Sequence, residues 1–152
     1  MRHPPGIYCS EPLLTILNSS QCVLMDNDLL AAHSFSLMMN GSNNNQVIHN
    51  TFSPSDPMNA VFFTINLVDC HGNELVRNII QCSKNCTGVY GIIRTSAAFD
   101  DTGLNSWNDT KDGNYWIDWV QPDLGLDGIL DQPYPIGGGH GAMDYRPLVQ
   151  QP

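Results

Sequence analysis

The sequence predicts an all-β fold: a single antiparallel β-sandwich, jelly-roll or Ig-like, of about seven to eight strands between extended N- and C-terminal arms. Two observations lead there. No stretch sustains the i, i+3, i+4, i+7 apolar spacing of an amphipathic helix, which argues against a helical architecture. Instead, short alternating or β-branched runs recur between clusters of Gly, Asn, Asp and Pro, spaced as in a sandwich or barrel. No internal repeat of about 20–50 residues stands out.

Residues 1–12, rich in Pro, make the first arm, and residues 13–120 the sandwich. Leu13–Leu17 and Gln21–Met25 are short strand candidates, and Asp28–His33 reads as one helical turn. His33–Met39 puts Phe35, Leu37 and Met39 on one face and Ser34 and Ser36 on the other, as a half-buried strand requires. Asn40-Gly41 ends it, and Val47–Phe52 is a further strand. The most regular unit is a hairpin over Ala60–Cys82. Val61, Phe63, Ile65 and Leu67 share a face of its outgoing strand, Asp69-Cys70-His71-Gly72-Asn73 supplies the turn, and Glu74–Ile80 returns. Gly88–Thr95 follows, with Gly91 marking a bulge or close backbone approach. Asn114–Val120, preceded by the Asp112-Gly113 turn, completes the set with Ala97–Leu104 as its partner.

Beyond Val120 the composition changes. Gln121–Pro152 holds five Pro and six Gly, which neither continue a central strand nor build a core, so it reads as an extended arm. Leu124, Leu126, Ile129, Leu130, Tyr134, Ile136, Met143, Tyr145 and Leu148 make this arm too apolar for a disordered tail. They are its candidate anchors, on a neighbouring subunit or on the chain's own sandwich.

A chain of 152 residues can bury one core without disulfides or metals. Six Lys and Arg against fifteen Asp and Glu give a net charge of -9, which excludes a nucleic-acid binder, because phosphate neutralisation takes clustered cations. The acidity is uneven: residues 97–152 carry nine acidic and two basic side chains, residues 1–96 six and four. Apolar runs such as Ala60–Phe63 stop at about four residues where a spanning helix needs about 20, so no membrane insertion is expected. Met1–Gly6 has no apolar stretch behind it, which favours cytosolic synthesis. Cys9, Cys22, Cys70, Cys82 and Cys86 are odd in number, form no C-x-x-C unit and read mainly as free thiols. Four N-x-[ST] sites, at Asn18, Asn40, Asn85 and Asn108, point instead to a glycosylated extracellular surface, although about two such matches follow from composition alone.

Several constellations bear on chemistry. Asn108–Gly113 opens like a calcium loop, but Trp119 stands where the bidentate Glu belongs, and an Asp-Gly hairpin turn is the better reading. Asp123, Asp127 and Asp131 recur every four residues among glycines and read as solvated acids of a loop. Gly137–Gly141 lacks the context of a phosphate or oxyanion loop and reads as a linker. Cys70-His71 with Cys82 and Cys86 is too loosely spaced for a tetrahedral zinc set. No catalytic residue, cofactor or metal is therefore assigned. Trp107, Tyr115 and Trp116 crowd the Asp112-Gly113 turn and form a candidate ligand platform of the aromatic kind that holds sugars. The competing reading is that Trp119 anchors the core and Trp116 packs beneath the tail.

These features lead us to expect a non-enzymatic structural subunit of a large assembly: a minor capsid, cement or decoration protein of a virus or phage particle. Its arms would dock on neighbouring protein subunits, copies of itself included. The alternative is a secreted or surface carbohydrate-binding or adhesion module with a glycan partner, carried by the aromatic cluster and the N-x-[ST] sites.

Overall fold

A computed structural model of the chain describes residues 11–32, 35–54, 63–81, 96–138 and 140–152. The first coil of the chain holds β1 (Leu14–Leu17), β2 (Val23–Met25) and β3 (Asp28–Ala32), and the second β4 (Leu37–Asn40), β5 (Gln46–Ile48) and β6 (Thr51–Pro54). The third holds β7 (Ile65–Val68), β8 (Glu74–Val76) and β9 (Ile79–Ile80). In the fourth, β10 (Ala98–Asp100) and β11 (Tyr115–Trp116) flank Ser106, which pairs in parallel with Glu74. Each strand pairs with its counterpart one coil away, giving parallel sheets in the orders β1-β4-β7-β10, β2-β5-β8 and β3-β6-β9-β11. β12 (Tyr134–Pro135) and β13 (Met143–Asp144) form an antiparallel pair after the last coil.

The architecture is a three-sided parallel β-solenoid, which overturns the expected antiparallel β-sandwich. Alternation marks a strand with one buried face but not the direction of its partner. In a coil the other two sides supply the crossover that parallel pairing needs. The expected hairpin over Ala60–Cys82 is likewise corrected: Asp69–Asn73 is a corner between β7 and β8, which belong to different sheets. Ala60–Phe62 and Cys82 of that hairpin, and the expected strand Gly88–Thr95, lie outside the described residues. Asp28–Ala32 is extended and not a helical turn, and Val47–Phe52 is cut at His49-Asn50 into β5 and β6. Of Asn114–Val120 only Tyr115–Trp116 is strand.

A repeat does exist. Within each of the first three coils the strands begin nine and then five residues apart, at 14, 23 and 28, at 37, 46 and 51, and at 65, 74 and 79. The return from the third side to the first is less regular: between strand starts it lengthens from Asp28–Leu37 to Thr51–Ile65 and again to Ile79–Ala98. Coils are consequently offset by unequal steps along the first sheet, where Leu14 pairs with Leu37, Leu37 with Ile65 and Ile65 with Ala98, and no fixed period shows in the sequence.

Each of these coils turns at three residues with φ between 46° and 65°: Asn18, Gln21 and Asp26, then Gly41, Asn44 and His49, then Asp69, Gly72 and Arg77. The left-handed region is inexpensive for Gly and tolerable for Asn and Asp, which explains how the turn-forming composition is used. Between corners the inward side chains stack in columns. Leu37, Ile65 and Ala98 form one, Met39 and Leu67 a second, Val47 and Leu75 a third, and Phe52, Ile80 and Trp116 a fourth, all buried.

Two polar columns run beside them: Asn45, Asn73 and Asn105 at one corner, and Asn27, Asn50, Asn78 and Asn114 at another. Asn78 shows the unit. Its Oδ1 accepts the backbone N–H (2.9 Å) and the Nδ2–H (3.1 Å) of Asn50, while its own Nδ2 donates to Val47 O (2.8 Å) and Asn114 Oδ1 (2.9 Å). Both lone pairs and both amide hydrogens of a fully buried side chain are thereby satisfied. Asn73 repeats the arrangement with Asn45, Ser42 O and Asn105.

Replacing Asn78 by Ala leaves donors and acceptors of two neighbouring coils unpaired in the interior and should lower the unfolding free energy by about 3 kcal/mol or more. Asn27→Ala, at the exposed first rung, should cost about 1 kcal/mol or less. Urea unfolding followed by circular dichroism measures both; equal losses would contradict the assignment of the buried rungs as the stabilising ones.

Candidate functional site

Both amide columns end on a buried carboxylate that also receives an indole N–H. Asp100 Oδ1 accepts Asn105 Nδ2 (3.0 Å), and its Oδ2 accepts Trp107 Nε1 (3.3 Å). Asp144 Oδ2 accepts Asn114 N (2.7 Å) and Trp116 Nε1 (2.8 Å), and its Oδ1 accepts Arg146 N (3.0 Å). Burial outweighs these donors and pushes the Asp144 carboxyl up to about 6. Gly113 lies against this group: a Cβ there would overlap the Asp144 carboxylate and come within 2.6 Å of Arg146 O. That close approach, and not a hairpin turn, is the role of the glycine in Asp112-Gly113.

Asp144 arrives on the tail, so the tail forms the lid of the solenoid. Tyr134 stacks on Trp116 with ring centroids 3.8 Å apart, Trp119 meets Tyr134 edge-on, and the Tyr134 hydroxyl accepts Ala97 N (2.7 Å). Gly137 pairs in parallel with Phe99 along the edge of β10. Gly138, at φ 123°, would drive a Cβ into Asp100 O. Gly137-Gly138 is thus fitted against the last coil where the sequence reads as a linker.

The tail's apolar residues divide in two. Leu130, Tyr134 and Ile136 are buried in the chain's own end, with Ile129 and Leu148 half-buried. Leu124, Leu126 and Tyr145 are exposed, and Met143 marginally so. Leu124 and Leu126 sit with Val120 on one loop, at 83%, 87% and 88% exposure. That loop is pinned by its acids: Asp123 accepts Gly128 N (3.0 Å), Asp127 accepts Ile129 N (3.0 Å), and Asp131 accepts Leu124 N (2.8 Å). Leu126 itself has φ 54°, an uncommon conformation for leucine. A second apolar region lies at the opposite end, where Leu17, Val23, Met25 and Leu30 of the first coil are exposed.

The expected ligand platform is not assembled as an open surface. Trp107 and Trp116 are buried, held by Asp100, Asp144 and Tyr134, and only Tyr115 of the three is half-exposed. Trp116 does lie beneath the tail. Asn108–Gly113 wraps around a guanidinium: Arg77 Nε donates to Asp112 Oδ2 (2.8 Å) and its Nη2 lies 3.6 Å from Asp109 Oδ2. The Asp112 N–H, reinforced by Arg77, holds the Asp109 carboxyl below its ordinary range. Cys70 is buried while His71 is exposed, and Cys82 and Cys86 lie outside the described residues. Among the described residues no three His, Cys, Asp or Glu side chains converge as metal ligands, and no helix is long and apolar enough to cross a membrane.

Sequence reasoning missed the ladder asparagines and their terminal aspartates. The signal was present: Asn45–Asn50 (NQVIHN) and Asn73–Asn78 (NELVRN) share asparagines five apart around an apolar pair. No protein-family model, curated protein or solved structure matches the chain.

Burial of Asp144 makes the fold's stability depend on pH. A folded-state value near 6 against an ordinary 3.8 means that this group's contribution to stability is full below about pH 4 and is lost as pH rises to about 6. Wild type should therefore gain about 3 kcal/mol over Asp144→Asn as pH falls across that window. The Trp116 indole N–H resonance should titrate with a midpoint near 6, and a pH-independent resonance would refute it.

Proposed function

We propose that the chain is a structural, non-enzymatic subunit of a large protein assembly, with the shell of a virus or phage particle as the concrete case to test. The observation that supports this is the placement of its apolar surface. Leu124 and Leu126 are exposed on a loop pinned by three aspartates, with Val120 exposed just before it, and exposed Leu, Val and Met side chains lie around the first coil. Scattered exposed leucines are ordinary, but concentrated apolar surface on a rigid element is the usual mark of a protein-binding site. The tail supports the reading in a modified form. Part of it closes the chain's own solenoid, and the loop at 120–126 remains to engage a neighbour. The surrounding carboxylates favour a protein partner over an anionic lipid surface.

Source material separated on a density gradient, with this chain's peptides and intact mass read by mass spectrometry, should show it sedimenting with a large particle in fixed stoichiometry at its unmodified mass. Recovery as a free species carrying glycan mass at Asn18, Asn40, Asn85 or Asn108 would sink the proposal. Leu124→Ser with Leu126→Ser should abolish incorporation while changing the unfolding free energy by about 0.5 kcal/mol or less.

A further inference from the structure

The tail holds together on its own side of the interface it makes with the coils. β12 pairs with β13, Ile129 pairs antiparallel with Leu148, and Leu130 N donates to Pro147 O (2.8 Å). Against the fourth coil the tail lays Tyr134 on Trp116, inserts Gly137 between Ala98 O and Asp100 N (2.9 Å each), and donates Leu148 N to Asn114 O (2.9 Å). The amide rungs from Asn45 to Asn105 and from Asn50 to Asn114 are made among the coils and take nothing from the tail. Asp144 sits in this interface, completely buried, and every group that donates to it is neutral: Asn114 N and Nδ2, Trp116 Nε1 and Arg146 N. The charged and titratable groups around it are engaged elsewhere. Arg146 Nε donates to Lys111 O, Arg77 and Lys111 act on Asp109 with Asp112 on Arg77, and Tyr134, opposite Asp144 in the β12–β13 pair, gives its hydroxyl to Asp118 (3.3 Å).

We infer that residues 121–152 are a pH-controlled lid, which undocks from the fourth coil as one unit and does so more readily as the Asp144 carboxyl sheds its proton. A carboxylate without a cation is better placed in water than in a closed interface, and undocking is the motion that gives it water. The unit is defined by its bonds: the tail is cross-paired internally, joined to the coils by a single crossing of the chain at Val120-Gln121, and absent from the rungs of the first three coils. Opening is therefore local, at the low-stability end of the molecule, and leaves the solenoid standing. It uncovers the rings of Trp107 and Trp116 and frees the edge of β10 that Gly137 occupies, a row of backbone groups open to pairing. The device needs no partner and stands apart from the reading of the chain as an assembly subunit. With the docked carboxyl near 6 and the released one at an ordinary 3.8, linkage multiplies the opening constant about fiftyfold between pH 4 and pH 7.

The test is amide hydrogen exchange of the full 152-residue chain from pH 4 to pH 7, read residue by residue by NMR and corrected for the intrinsic rate. Gly137 N and Leu148 N, bonded across the interface, should lose protection about fiftyfold over that range. At every pH they should exchange about tenfold or more faster than Glu74 N and Ile79 N, which bond between coils. In Asp144→Asn the pH dependence should vanish. Should the amide hydrogens introduced by that change hold the lid open, Gly137 and Leu148 will exchange freely at every pH and the wild-type profile decides alone. Lid amides that exchange in step with Glu74 and Ile79 would show global unfolding in place of a lid and overturn the inference. Protection independent of pH in the wild type overturns it as well, and so does a pH dependence that persists in Asp144→Asn.

Discussion

A closed coil with three corners turns backbone N–H groups toward an interior that water does not reach, and every such group must find an acceptor there. The asparagine columns meet that requirement. One amide accepts from the corner above it and donates to the corner below, so each coil satisfies its neighbour. The apolar columns contribute more buried area, but they would tolerate a shift of register that the amides do not. An asparagine moved by one position would leave two donors and an acceptor unpaired in a low-dielectric interior, the kind of loss that a change among Leu, Ile and Val rarely causes. The nine-and-five spacing of strand starts expresses this restriction.

The columns also have a direction. Each Oδ1 receives N–H groups from the preceding coil, so the final rung needs an acceptor with nothing left to donate, and a carboxylate is that group. Asp144 meets the need by accepting Asn114 N, while Asp100, in the same coil as Asn105, accepts only that residue's Nδ2–H; each takes an indole N–H as well. The tail delivers Asp144 together with Tyr134 and Ile136, so one segment completes both the polar column and the apolar core. Nothing comparable among the described residues closes the first coil, so the two ends of the described structure are finished differently.

Much of the local structure was legible in the sequence. The alternation that places Leu37 with Met39 and Ile65 with Leu67 is a property of a few neighbouring residues, and these pairs do lie in strands, though β4 and β7 are shorter than the pattern predicts. Pairing direction was not legible, because antiparallel and parallel neighbours leave the same trace on a half-buried strand. The repeat was hidden by its own irregularity: the step from Leu14 to Leu37 is shorter than that from Leu37 to Ile65, and this in turn is shorter than that from Ile65 to Ala98, which defeats a search for one period. In the tail the apolar content of Leu130, Tyr134 and Ile136 was plain, while their destination depended on an end surface that exists only once the coils are stacked. For Trp107 and Trp116 the sequence left both a ligand platform and packing beneath the tail open, because an aromatic cluster beside polar turns looks alike whether its indole N–H groups meet solvent or a buried aspartate.

The returns from the third side to the first lengthen along the chain, from β3–β4 through β6–β7 to β9–β10, while the other two corners stay constant through the first three coils. Because the strands stack in register, the ends of β3, β6 and β9 and the starts of β4, β7 and β10 line up along a single vertical edge. That edge is a seam at which the polypeptide gains or loses length without disturbing a rung. Changes in chain length, whether acquired over time or grafted by design, would be absorbed there, while the two amide-lined edges keep their spacing and hold the scaffold.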